Sequence, residues 1–165
     1  MRRWQAAVGS AVFLVAAPGV AAGLVPWLLT GGDSTDPPAI VFWAGVALVV
    51  AGAAALVQAF ARFVLEGRGT PAPIAPPDRP VVGGQYRHVR NPMYVAVTAT
   101  IAGQALLLGR WALLLYAALF WAVTATFVRV YEEPALAARY GAQYDAYRRA
   151  VPAWRPRLRP WRGDG

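Results

Sequence analysis

The sequence predicts an all-α integral membrane bundle of about four transmembrane helices, closed by a C-terminal antiparallel hairpin and a cytoplasmic amphipathic helix. Three observations carry this. Of the 165 residues, 58% are hydrophobic and only 15% charged, against roughly 25% charged in a soluble domain. The apolar residues gather in four runs, at 4–29, 39–64, 92–108 and 111–130, each near the ~20 residues that cross a hydrocarbon core of about 30 Å. All 16 basic residues are arginine, and most sit at the ends of these runs.

The first run follows Arg2 and Arg3. It outlasts the roughly 7–15 apolar residues of a leader peptide, so a retained helix is expected rather than a cleaved signal. The loop from Gly31 to Pro38 carries only the acids Asp33 and Asp36. After the second run come Arg68, Arg79, Arg87 and Arg90, and the tail adds Arg139, Arg148, Arg149, Arg155, Arg157, Arg159 and Arg162. That asymmetry places both termini and the loop 66–91 in the cytoplasm, as expected for a bacterial-type plasma membrane protein. Within the loop, the prolines of Thr70–Pro77 exclude a helix and predict an extended connector.

Asn91 and Pro92 mark the start of the third helix, asparagine as cap and proline at the first helical position. Gly109-Arg110 leaves room only for a tight antiparallel turn into the fourth run. Beyond Glu133, Leu136, Tyr140, Tyr144, Tyr147 and Val151 recur at helical spacing. They predict an amphipathic interfacial helix over 134–150, its tyrosines at headgroup level. The arginine-rich tail 151–165 is expected to lie on anionic lipid, gaining about 1 kcal/mol per basic residue. One membrane domain spans 1–165.

Composition excludes several functions. There is no cysteine and one histidine, so disulfides, thiol nucleophiles and multi-histidine metal sites are out, and no metal is expected. The arginines follow the membrane-orientation pattern and no nucleic-acid-binding module is present, so no nucleic acid partner is expected.

Against this apolar background, one polar cluster calls for a function, because ionisable groups are costly at a membrane. It runs Gly84-Gln85-Tyr86-Arg87-His88-Val89-Arg90-Asn91-Pro92-Met93-Tyr94 and is answered by Glu132-Glu133. The third helix rises about 25 Å to the turn and the fourth returns about 30 Å. The Arg90 and Glu132 ends therefore lie side by side, near the exit of the second helix at Gly67-Arg68-Gly69. Taken singly, each group has a plainer reading. Arg87 and Arg90 serve as topology anchors, Glu132 and Glu133 suit a helix start before Pro134, Gly67 and Gly69 end a helix, and Tyr86 and Tyr94 fit an aromatic belt. Their convergence favours a site.

These residues, in this order, together with Glu132-Glu133-Pro134-Ala135-Leu136, Tyr140-Gly141, Tyr144 and Tyr147, resemble the membrane methyltransferase superfamily. It includes isoprenylcysteine carboxyl methyltransferases and phospholipid N-methyltransferases. Gly67-Arg68-Gly69 resembles its upstream Gly-x-Gly element, and the likeness covers about 67–154. The resemblance implies S-adenosylmethionine (SAM) as cofactor and methyl transfer to a lipophilic acceptor, a carboxylate or an amine, at the cytoplasmic interface. It implies cofactor binding by Gly67, Gly69, Tyr86, Arg87, Pro92, Tyr94, Glu132 and Glu133, and catalytic roles for Arg90, Glu133 and His88. Two positions depart from the pattern: Asn91 stands where carboxyl methyltransferases usually have histidine, and His88 where many relatives have tyrosine. A membrane NADPH-dependent sterol-type reductase and a non-catalytic membrane scaffold are the alternatives.

Overall fold

The computed structural model describes residues 3–62, 65 and 80–163. Gly67, Gly69 and the connector 70–77, all expected near the site, lie outside the described residues. Among the described residues there are helices and no strands. Three helical runs are long and apolar enough to cross a membrane: Ala11–Thr30, Ala39–Arg62 and Trp111–Tyr140.

The chain begins with α1 (Arg3–Leu14), passes through a π-helical stretch at Val15–Leu24 and continues as α2 (Val25–Thr30). Pro18 lies inside the π stretch and Pro26 opens α2, and their missing N–H groups account for the break in register. α3 (Ala39–Arg62) and α4 (Pro92–Leu108) pack backbone to backbone. A methyl added at Gly45 would lie 2.7 Å from the Gly103 carbonyl oxygen, and one at Gly52 2.9 Å from that of Ala96. Small residues let membrane helices approach this closely, so dispersion and weak polar contacts replace the hydrophobic drive that lipid does not supply.

α4 has 17 residues, fewer than the ~20 of a full crossing. It ends on Gly109 (φ 65°), whose N–H bonds to Leu106 O while Arg110 N bonds to Ala105 O. That pair of bonds is the Schellman pattern for releasing a helix C-terminus. The Gly31–Pro38 loop docks on this turn. Thr35 N donates to Leu108 O at 3.0 Å, and Arg110 reaches Asp33 at 3.7 Å.

α5 (Trp111–Phe127) returns alongside α4, and the helix does not end at 130 as expected. It runs through a π turn at Val128–Glu132 directly into α6 (Glu133–Tyr140). The expected helix over 134–150 is instead two pieces. Gly141, with φ 53° and ψ −133°, breaks it before α7 (Ala142–Ala150).

Two cores result. One, around Phe60, Val97 and Ile101, joins the long helices. The other, around Ala59, Tyr86, Tyr144, Tyr147 and Val151, lies at the end away from the Gly109 turn. Tyr144 and Tyr147 are each only 4% exposed, which corrects the expectation that they sit among lipid headgroups. Their rings fill the space between α7 and the Gly84–Arg87 turn and bury aromatic area there.

The tail is likewise bound to protein. Residues 151–161 run back over the segment 87–91, with Arg90 N donating to Pro152 O, Arg157 N to His88 O and Trp161 N to Arg87 O. The backbone groups of an irregular segment need partners, and here two irregular segments satisfy each other.

Candidate active site

The helix hairpin brings Tyr94, in the first turn of α4, to Glu132 at the end of the π turn. The Tyr94 hydroxyl donates to Glu132 Oε2 at 3.1 Å. The π turn is what aims this carboxylate, because an extra residue in the turn rotates the side chains that follow it. Trp154 of the tail lies against Tyr94 with ring centroids 6.4 Å apart and meets Trp121 edge-on at 6.0 Å.

Glu133 is buried and takes different partners. Arg90 Nη1 meets its Oε1 at 2.5 Å and Arg148 Nη2 meets its Oε2 at 3.2 Å. Arg90 is held further by Nε donating to Val151 O at 2.9 Å and by Tyr144 Oη at 3.4 Å. A buried carboxylate is tolerated when its oxygens are engaged by charged donors, and here the second donor comes from α7. Tyr147 closes the arrangement, donating to Tyr86 O at 2.7 Å. Burial pushes the phenols of Tyr144 and Tyr147 above their usual value, so both remain protonated, Tyr147 donating to Tyr86 O and Tyr144 accepting from Arg90.

Beside these groups lies a cavity of about 190 Å³. Tyr86, Arg90, Asn91, Pro92, Tyr94 and Glu132 form its polar end, and Phe13, Phe60, Met93, Val97 and Phe120 contribute apolar walls. Five of the candidate site residues, Tyr86, Arg90, Pro92, Tyr94 and Glu132, therefore meet here. Glu133 stands behind them, holding Arg90. Arg87 and His88 do not join: both line a separate polar groove with Gln58, Arg62 and Pro160. His88 Nδ1 lies 2.7 Å from Arg157 O, and Arg87 is exposed. The reason is local. The Gly84–Arg87 turn is a single 3₁₀ turn, in which successive side chains point about 120° apart, so Tyr86 turns inward and Arg87 outward.

Asn91 sits at the helix start as expected, but its side chain does not cap α4. It donates instead to Ala153 O at 3.2 Å, tying the tail to the motif. Sequence reasoning also missed the tail and the first helix as parts of the site. Trp154 was the available signal for the tail; for Phe13 in an unbroken apolar run there was none.

A cationic ligand would find a matching group here. Among the described residues Glu132 Oε1 takes no hydrogen bond, while Oε2 is oriented by Tyr94. An under-used carboxylate at the polar end of an apolar cavity suits ribose hydroxyls, an ammonium or a sulfonium, so the donor set fits SAM.

Neither a curated protein nor a solved structure matches the chain. A family model described as phospholipid methyltransferase matches residues 40–143. That segment covers more than half of the sequence and contains both the Arg90–Glu133 and the Tyr94–Glu132 pairs, and the chain belongs to the phospholipid methyltransferase family.

Proposed function

We propose that the protein is an integral membrane, SAM-dependent methyltransferase that acts on a lipophilic acceptor, an amine or a carboxylate, at the cytoplasmic interface. The observation that carries this is the Tyr94–Glu132 pair at the polar end of an otherwise apolar cavity, inside the family-matched segment. Both termini and the loop 66–91 face the cytoplasm of a bacterial-type plasma membrane, a placement supported by the arginine distribution.

When bound, SAM supplies a methyl group activated by its positively charged sulfur. What the chain contributes is positioning and desolvation, the main requirements of an in-line displacement. Glu132, oriented by Tyr94, holds the cationic or hydroxyl-bearing part of the ligand. Arg90 presents a fixed positive charge beside it, suited to a carboxylate, and Glu133 fixes Arg90. With both oxygens engaged by arginines, Glu133 acts as a positioning residue rather than as a proton acceptor. If the acceptor is an ammonium, Glu132 is the group placed to take its proton. Pro92 and Tyr86 shape the rim, and Gly67 and Gly69 let backbone amides approach the cofactor. Arg87 lines the adjacent groove and suits the anionic end of a ligand, and His88 lies beside it, engaged by Arg157 O.

The test is SAM binding to the detergent-purified protein, with NADPH as the comparison that separates a reductase. Methyl label from SAM should also appear in a lipid extract. Wild type should bind SAM and not NADPH, and Glu132→Ala should abolish the affinity. No SAM affinity, or affinity indifferent to Glu132→Ala and Arg90→Ala, would sink the proposal.

A further inference from the structure

Residues 1–39 lie outside the family match, yet the first helix supplies one side of the cavity through Phe13, Ala17, Pro18 and Ala21. How it is held there follows from its broken register. Pro26 has no N–H to return to Ala22 in the α register or to Ala21 in the π register. Both carbonyls are met from neighbouring helices instead. Gln104 of α4 donates to Ala22 O at 2.6 Å, and Tyr116 of α5 donates to Ala21 O at 2.9 Å. No water replaces such bonds within hydrocarbon, so they staple the distorted stretch to the hairpin. A glutamine in mid-helix facing an apolar bundle has this as its physical reason.

The opposite rim of that stretch points outward. Ala17 lines the cavity but is exposed, and exposed Val12, Val15 and Val20 flank it. The cavity therefore runs from an apolar outer helix face to the Tyr94–Glu132 pair. Apolar walls with one charged end match a molecule that is hydrocarbon along most of its length and polar at its head.

We infer that the first helix, stapled by Gln104 and Tyr116, is the wall that selects the hydrocarbon chain of the acceptor. The chain lies against Phe13, Ala17 and Pro18, with its head directed toward the polar end of the cavity, where SAM meets Glu132. Ala17 and Pro18 set how thick a chain passes, and Gln104 and Tyr116 are positioning residues that keep the wall in place. This rests on the methyltransferase proposal for its chemistry, but lipid occupancy is measurable without turnover.

Two variants test it. Ala17→Phe adds bulk at an exposed rim position and leaves the buried core intact. Gln104→Leu combined with Tyr116→Phe removes both staples at nearly constant volume. The binding probe is phosphatidylethanolamine carrying a pyrene-labelled acyl chain, titrated into detergent-purified protein. Ala17→Phe should weaken this binding about tenfold while the SAM dissociation constant stays within about twofold of wild type. For turnover, kcat/KM is compared for dioleoyl and dihexanoyl phosphatidylethanolamine. The double variant should lower the long-over-short ratio about tenfold, again at unchanged SAM affinity.

The inference is overturned if wild type shows no saturable lipid binding, or if Ala17→Phe leaves binding unchanged. It is also overturned if Ala17→Phe weakens SAM to the same extent, which would make the cavity the cofactor's. Lipid binding sensitive to Ala17→Phe, with no SAM affinity and no methyl label from SAM in a membrane lipid extract, would leave this inference standing and remove the proposed function. Methyl transfer with an unaltered chain-length ratio and lipid binding in both variants would do the reverse.

Discussion

Tyr94 donates a hydrogen bond to Glu132 at 3.1 Å across 38 positions of sequence, while the neighbouring acid, Glu133, pairs with Arg90. Two adjacent glutamates thus hold different environments. One faces a cavity with an oxygen to spare, and the other is closed between arginines.

Glu132 should therefore be sensitive in binding and tolerant in folding. Glu132→Gln is expected to keep the detergent-solubilised thermal midpoint near wild type and to weaken SAM. Tyr94→Phe removes one hydrogen bond to a charged group, which is worth about 1.5–3 kcal/mol and so roughly ten- to a hundredfold in affinity. Isothermal titration with SAM on both variants checks this.

Glu133 should behave in the opposite way. Glu133→Ala strands the Arg90 charge, at a cost of about 3–5 kcal/mol for a broken buried pair. Arg148→Ala should cost less than this, because Arg148 is half exposed and Arg90 still engages the buried carboxylate. Replacing both partners, Arg90→Met with Glu133→Leu, should recover much of the folding stability without restoring activity. Denaturation midpoints of the three variants, with methyl transfer assayed in parallel, decide the matter.

The tail is expected to be part of the site. Val151, Pro152 and Ala153 present carbonyls to Arg90 and Asn91, and Trp154 backs Tyr94. Truncation after Ala150 should leave membrane insertion intact and lower SAM-dependent activity by about tenfold or more, as expected when positioning groups are lost. Membrane fractionation alongside the activity assay separates the two effects.

Alkaline pH should loosen the second core. Burial raises the folded-state values of Tyr144 and Tyr147, whereas unfolded phenols titrate near about 10. The contribution is fully present below that unfolded value and falls as pH rises from it toward the folded one, because the unfolded state releases protons first. The thermal midpoint should hold up to about pH 9.5 and then decline. Tyr144→Phe should make the decline shallower.

Helix packing offers a control away from the site. Gly52→Ala places a methyl 2.9 Å from the Ala96 carbonyl oxygen, and overpacking of this kind costs about 1–3 kcal/mol. A lower thermal midpoint at unchanged SAM affinity is the expected result.

The helices were legible because lipid makes hydropathy and length decisive. The run expected at 92–108 coincides with α4, and a proline start and glycine stop mark its ends. The pairing of the Arg90 and Glu132 ends was also legible, since a two-residue turn at Gly109-Arg110 allows only an antiparallel return. Other features had no local signal. The inward turn of Tyr144 and Tyr147 and the separate partners of Glu132 and Glu133 depend on how α6, α7 and the tail fill the space beside the Gly84–Arg87 turn.

By itself, the sequence determined a membrane-embedded helical chain carrying a polar motif that two helix ends bring together. Composition, apolar run length and a tight turn act locally and are written in the order of residues. Tertiary structure decided which members of that motif share a cavity. Tyr86, Arg90, Pro92, Tyr94 and Glu132 do, while Arg87 and His88 line the groove next to it. A 3₁₀ turn and a π turn set those directions, and the backbone bonds from the tail to residues 87–91 hold the first of them in place.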